Sequence, residues 1–207
     1  VVVVLIMQLL WWFGIHGPNV MSAVTTPFMT KMMATNLELY QAGEGVTASG
    51  VFYTAGSKYS IIANPFASGW FSSTGSGITM GLIIAIMLFS KRDDFKAIAK
   101  LAIPCGLFNI NEPIIFGIPM VMNAMFAVPF FLAPVACVCC GYLVQSLGLC
   151  PLFVIDVPWT TPVGLFGFLA SSGNIMGGIW QIVIILGVST LIYTPFVIAA
   201  NRQEAEA

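Results

Sequence analysis

Apolar residues run almost unbroken through two long stretches, 125–147 and 178–200, and neither contains Asp, Glu, Lys or Arg. About 20 mostly apolar residues suffice to cross a bilayer as a helix, so both are predicted as spans. A third stretch, 66–89, is apolar in its second half and rich in Ser and Gly in its first. Small residues let helices approach closely in lipid, so that first half is expected to face protein. The opening run VVVVLIMQLLWWF at 1–13 supplies a fourth span. It starts within an apolar run, without Met, basic flank or a signal-peptide cleavage pattern. It is expected to be the end of a span whose front lies upstream.

Two stretches do not fit a plain span. Residues 101–122 (LAIPCGLFNINEPIIFGIPMVM) are apolar but hold Pro104, Pro113 and Pro119 together with Asn109, Asn111 and Glu112. Residues 152–172 hold Asp156, Pro158, Pro162 and several glycines. Proline removes a backbone donor and disrupts a regular helix. Irregular backbone survives at membrane depth only where protein covers it or it lines a water-filled cavity. Both stretches are therefore predicted to be broken helices or re-entrant hairpins. The resulting fold class is an all-α polytopic membrane protein with about four to five transmembrane helices plus such broken elements.

Composition agrees with this pattern. Of the 207 residues, 58% are hydrophobic and 7% charged, against about 25% charged in a soluble domain. A chain of this size must still cover its outside, so lipid is expected to surround much of it. The net charge of −1 points to no nucleic-acid partner. Four of the seven Lys and Arg residues fall in KRDDFKAIAK at 91–100, which the positive-inside rule places in the cytoplasm. Arg202 follows the last span, so a tail at 201–207 is expected on the same side. Two clean spans separate those points, and the Pro-rich stretches must together cross an even number of times. Two hairpins satisfy this. The most polar stretch, 17–63, contains Lys31, Glu38, Glu44 and Lys58. It then falls between an outward span and an inward one, either as a loop across the mouth or as a further dipping hairpin.

Glu112 is the position richest in chemistry. No basic residue lies within ten positions of it, and intramembrane ionisable groups are functional candidates by default. Pro113 disfavours helical backbone at Glu112, which sets the carboxylate beside a helix break where freed backbone groups help bind a polar ligand. The alternative is a protonated, structural Glu satisfied by Asn109 or Asn111. His16, the single histidine, stands in WWFGIHGPNV. Its imidazole both donates and accepts, suiting a sugar hydroxyl or a proton relay, or else a helix-end carbonyl. Asp156 and Trp159 share IDVPWTTP; an indole there suits stacking on a sugar ring, or anchoring at a membrane interface. The cysteines, three of them crowded into VACVCC, read as small hydrophobes. SSTGSG at 72–77 lacks the Lys of a phosphate loop, and one His argues against a catalytic zinc. No metal and no cofactor are expected.

Three motifs together carry a resemblance: FGIHGPN at 13–19, FNINEPIIFGIPMVMN at 108–123 and VPWTTP at 157–162. In this order they resemble the membrane component, enzyme IIC, of bacterial phosphotransferase sugar permeases, closest to the lactose/cellobiose/diacetylchitobiose branch. The resemblance covers the C-terminal half of such a permease. It implies that residues 1–200 form part of a sugar-transport domain and that the full-length protein is a homodimer. It further implies that a β-linked disaccharide is phosphorylated on its 6-hydroxyl by a IIB partner, whose cysteine carries the phosphate. Carried over, His16 and Glu112 contact the sugar near that hydroxyl, Glu112 is the base, Asn111 holds the sugar by its amide, and Trp159 stacks. The competing expectations are a proton-coupled secondary transporter and a non-functional fragment.

Overall fold

The computed structural model describes residues 1–118 and 120–205. Pro119, one of the predicted breakers, and positions 206 and 207 of the expected tail lie outside the described residues. α1 (Val2–Trp12) ends in a turn with Gly14 at φ +80°. α2 (Gly17–Gln41) is capped by His16, whose Nδ1 accepts the Asn19 N–H at 3.2 Å. Pro18 stands in its first turn, where a missing N–H breaks no helical bond. A short hairpin pairs β1 (Val46–Thr47) with β2 (Gly50–Val51). Then come α3 (Asn64–Trp70), α4 (Met80–Phe89), α5 (Asp93–Leu107), α6 (Glu112–Gly117) and α7 (Ala124–Ser146). α8 (Leu165–Ala170) precedes α9 (Ile175–Ile182), which continues through a π-helical segment (Val183–Val188) into α10 (Ser189–Ala205).

Among the described residues, two helices are long and apolar enough to cross a membrane: Ala124–Ser146 with 23 residues and Ile175–Arg202 with 28. These are the two clean spans predicted. Asn123 and Asn174 cap them, accepting the Met125 and Met176 N–H at 3.0 and 2.7 Å. The expected span at 66–89 is instead two helices separated by irregular backbone. Thr74, Gly75, Gly77 and Ile78 have φ of 60, 78, 82 and 52°, and a right-handed helix cannot pass through four left-handed residues. The opening run is an 11-residue helix.

Both Pro-rich stretches double back as predicted. Gly117 of α6 lies against Ile98 of α5, where an added Cβ would come 2.6 Å from the side chain. In the second stretch the Val154 and Ile155 N–H groups donate to the Ala170 carbonyl at 2.9 and 3.1 Å. α8 packs on α9 where Gly167 and Gly177 meet, with room for no Cβ on either.

The core lies in two layers. Val4, Val51, Trp70, Phe153 and Ile184 belong to one buried cluster, and Trp11, Ile83, Phe95, Phe126 and Tyr193 to the other. α1, the α3–α4 pair, α7 and the α9–α10 run each contribute to both. α7 and α10 are antiparallel: the Cys137 thiol donates to the Ile184 carbonyl at 3.5 Å, while Phe130 and Tyr193 meet at Gly77. At one end of the bundle Asn201 accepts the Lys91 N–H at 2.8 Å and donates to the Phe89 carbonyl at 2.9 Å. At the other, the Leu152 N–H donates to the Val51 carbonyl at 2.7 Å.

These ends correct the expectation for residues 17–63. The Trp12 carbonyl accepts the Met122 N–H at 3.2 Å, so α1 ends beside the start of α7, at the same end as residues 89–91. α2 then runs back the length of the bundle to the β1–β2 end, where Asn36 exchanges two 2.8 Å bonds with the Ser60 backbone. Most of this stretch is thus a helix, neither a loop nor a dipping hairpin. The opening helix runs toward the 91–100 end, opposite to the course expected. The misleading feature was polarity: the polar face of α2 lines a cavity inside the protein.

Candidate functional site

Three interruptions of helix meet within the bundle, at 71–79, at 108–111 and at 158–162, and buried polar side chains satisfy their backbone. Asn109, at φ +66°, turns the chain out of α5. Its Oδ1 accepts the Thr74 N–H at 2.6 Å, and its Nδ2 donates to the carbonyls of Trp159 and of Thr161, the latter at 2.9 Å. Asn111 donates from Nδ2 to the Ser76 carbonyl at 2.6 Å. The Tyr193 hydroxyl donates to the Gly77 carbonyl at 2.7 Å. Gln181 accepts the Gly164 and Gly167 N–H groups, both at 2.8 Å, and donates to the Gly69 carbonyl at 3.0 Å and to Ser73 Oγ at 3.2 Å. Each bond to backbone satisfies a group that would cost several kcal/mol if left unpaired in hydrocarbon.

At this junction lies a cavity of about 530 Å³, within the usual range of small-molecule sites, about 300–1,000 Å³. His16, Asn111, Glu112 and Trp159 all line it, so the structure brings the four predicted site residues to one hollow. Glu112 opens α6 directly after Asn111 and is half-buried. Among the described residues nothing bonds to its carboxylate. Asn111 is buried, and an amide NH2 has a second hydrogen to offer beyond the Ser76 bond. His16 uses Nδ1 as the acceptor that caps α2, which leaves the ring hydrogen on Nε2. Its ring lies 4.9 Å from that of Trp11. Trp159 is 60% exposed. Asp156 lies outside the lining and accepts from Asn64 Nδ2 at 3.3 Å; Asn64 is itself a wall residue.

Several wall residues escaped the sequence reading. Asn109 is the fastening of the junction. Trp11 is 4% exposed, lines the cavity, and its indole N–H has no partner among the described residues. From α2 come Asn19, Ser22, Thr26 and Met29. Their spacing of three and four residues puts them on one helical face, a readable signal once 17–41 is taken as helix. The lining holds one carboxylate, one imidazole, amides, hydroxyls and indoles, and no Lys or Arg among the described residues. That donor and acceptor set fits a neutral polyhydroxyl ligand with apolar ring faces, rather than an anion.

The sequence pattern of the family described as "Phosphotransferase system, EIIC" matches residues 1–134. The cellobiose-specific EIIC component of Lactococcus lactis subsp. lactis (strain IL1403) is 36% identical over 218 residues, covering 98% of this chain and 43% of the relative. The lactose-specific EIICB component of Staphylococcus aureus is 33% identical over 192 residues, covering 91% and 31%. The crystal structure of the transporter ChbC, the IIC component of the N,N'-diacetylchitobiose-specific phosphotransferase system, superposes with a TM-score of 0.87. It is 32% identical, over 99% of this chain and 44% of that one. The chain spans less than half the length of these relatives.

Proposed function

The chain belongs to the phosphotransferase system EIIC family, an integral membrane family, and from that premise we propose that it forms the sugar-binding part of a disaccharide permease. The carrying observation is the single cavity shared by His16, Asn111, Glu112 and Trp159. In this reading a β-linked disaccharide such as cellobiose, diacetylchitobiose or lactose lies there with its 6-hydroxyl toward Glu112 and His16. A phosphorylated IIB partner supplies the phosphate: its S–P bond breaks, the O–P bond forms, and the hydroxyl proton passes to Glu112. A base within reach of that proton is what such a transfer needs. Asn111 holds a sugar hydroxyl with its remaining N–H, and Trp159 covers a ring face. The EIICB name of the staphylococcal relative, which joins IIC and IIB, supports the partner assignment.

The reading extends to placement. Residues 1–200 are assigned to the transport part, and residues 201–207 to a cytoplasmic tail beside the basic stretch 91–100. The full-length protein is assigned as a homodimer in the bacterial cytoplasmic membrane. The test is phosphorylation in membranes carrying the full-length protein and its phosphorylated IIB partner. Glu112→Gln is expected to abolish sugar 6-phosphate formation while retaining sugar binding and membrane insertion. Unchanged product formation would remove Glu112 as the base. Uptake of unmodified sugar driven by a proton gradient would replace the reading with secondary transport.

A further inference from the structure

We propose that Asn109 is a positioning residue that sets where the Trp159 indole stands relative to the Gly75–Ser76 wall of the cavity. The proposal rests on the reading that Trp159 stacks on the sugar. Asn109 touches the cavity, yet its amide has little left for a ligand. Both N–H groups are committed, one to the Trp159 carbonyl and one to the Thr161 carbonyl, and Oδ1 holds the Thr74 N–H at 2.6 Å. Asn111, two residues on, bonds the same wall but retains a free N–H. The two asparagines of NIN thus divide the work: Asn111 faces the ligand, and Asn109 joins the walls.

Trp159 needs such a fastening. Its side chain is 60% exposed, so packing does little to fix it. It sits in an irregular stretch between Pro158 and Pro162, with one turn bond, Thr161 N–H to Pro158 carbonyl at 2.9 Å. The Asn109 amide grips this stretch at two carbonyls two residues apart, and its oxygen ties them to Thr74, next to Gly75 and Ser76. One buried side chain, 6% exposed, therefore joins two of the irregular segments that meet at the site.

The residue type follows from the geometry. At φ +66° the position favours Gly or Asn. Gly would keep the turn and lose all three bonds. Asp would keep the acceptor for Thr74 and set a carboxylate against two carbonyls. Asn alone of the three fits both the backbone and the bonds.

A double-mutant cycle on the full-length protein in membranes tests this. The probe is whichever of cellobiose, lactose and N,N'-diacetylchitobiose binds the unaltered protein, and the readouts are its Kd and the thermal midpoint. Asn109→Gly is expected to weaken binding roughly tenfold, the equivalent of about 1.4 kcal/mol. In a Trp159→Ala background the same change is expected to cost less than about twofold, because residues acting through one another are not additive. Asn109→Asp, which keeps the side-chain size, is expected to behave likewise and serves if the glycine variant inserts poorly. A lowered thermal midpoint with unchanged Kd in both Asn109 variants would reduce Asn109 to a structural role. Equal losses in both backgrounds would place its action elsewhere, and either result overturns the proposal. No effect of Trp159→Ala alone would overturn the stacking reading and the positioning role with it. A strong Trp159→Ala effect beside silent Asn109 variants would sink the positioning role alone.

Discussion

Replacing Gly75 by alanine is expected to damage the site in two separable ways. Gly75 has φ +78°, and a Cβ added there would stand 2.3 Å from Asn111 Cγ and 2.5 and 2.6 Å from its two amide atoms. The left-handed backbone alone costs an L-residue about 1–2 kcal/mol. Relieving the clash requires Asn111 or the 71–79 backbone to move, which breaks the 2.6 Å bond from Asn111 to the Ser76 carbonyl. Leaving a buried acceptor unpaired costs roughly a further 1–3 kcal/mol. Gly43 isolates the first contribution, because its φ is +74° and nothing lies within 4 Å of an added Cβ. The assay is denaturant unfolding in detergent paired with cellobiose binding, both on the full-length protein. Gly75→Ala is expected to be less stable than Gly43→Ala by about 1–3 kcal/mol. It is also expected to bind cellobiose at least about tenfold more weakly, with Gly43→Ala unchanged. Equal binding by the two variants would refute the claim that the Gly75–Asn111 contact shapes the site.

Trp159→Ala is expected to raise the disaccharide Kd about tenfold or more, the equivalent of about 1.4 kcal/mol and the upper range of an aromatic face contact, measured by equilibrium binding; an unchanged Kd removes the indole from the site. Gln181→Leu strands the Gly164 and Gly167 N–H groups and is expected to cost about 2 kcal/mol or more of stability, seen as a lower thermal midpoint with the sugar absent. For Asp94, hydrogen bonding to Arg92, with its side chain 2.5 Å away, holds the carboxyl below its ordinary value. A depressed carboxyl stabilises above its unfolded value, about 3.9, and loses this as pH falls through the lower folded value. Wild type and Asp94→Asn are therefore expected to show parallel stability profiles from about pH 8 to 5 and to converge only in stronger acid, as unfolding at stepped pH would show.

What the sequence disclosed depended on how far each signal was local. Spans 125–147 and 178–200 are written in apolar length alone, and both are present as helices. The doubling back of 101–122 and 152–172 follows from proline and glycine among apolar residues, and it too is present. The split at 71–79 was hidden because Ser and Gly serve equally for close helix contact and for left-handed turns; only Thr74 and Ile78 at positive φ tell them apart, and these types do not advertise it. Residues 17–41 misled because a helix facing an internal cavity has the composition of a surface loop. Glu112 and His16 stood out by charge and rarity. Asn109 looked like its neighbour Asn111, and their different roles depend on partners 35 to 52 positions away.

The bond partners of the buried polar groups separate framework from ligand chemistry in this bundle. A polar side chain surrounded by apolar chain must be bonded or forfeit several kcal/mol, so at the cavity the groups already bonded to protein differ in role from those left open. Asn109 and Tyr193 spend their groups on backbone at the breaks, and Gln181 spends its groups on backbone of α3 and at the start of α8. The Glu112 carboxylate has no partner among the described residues, the Trp11 indole N–H has none, and His16 keeps Nε2 and Asn111 one N–H. All four of these residues line the same cavity. The unused groups of Glu112, His16 and Asn111 converging on one hollow, beside Asn109 and Tyr193 already bonded to backbone, are what a bound sugar would satisfy on entering. A ligand without hydroxyls would leave them stranded, so the same arrangement that admits a polyol discriminates against an apolar molecule of equal size.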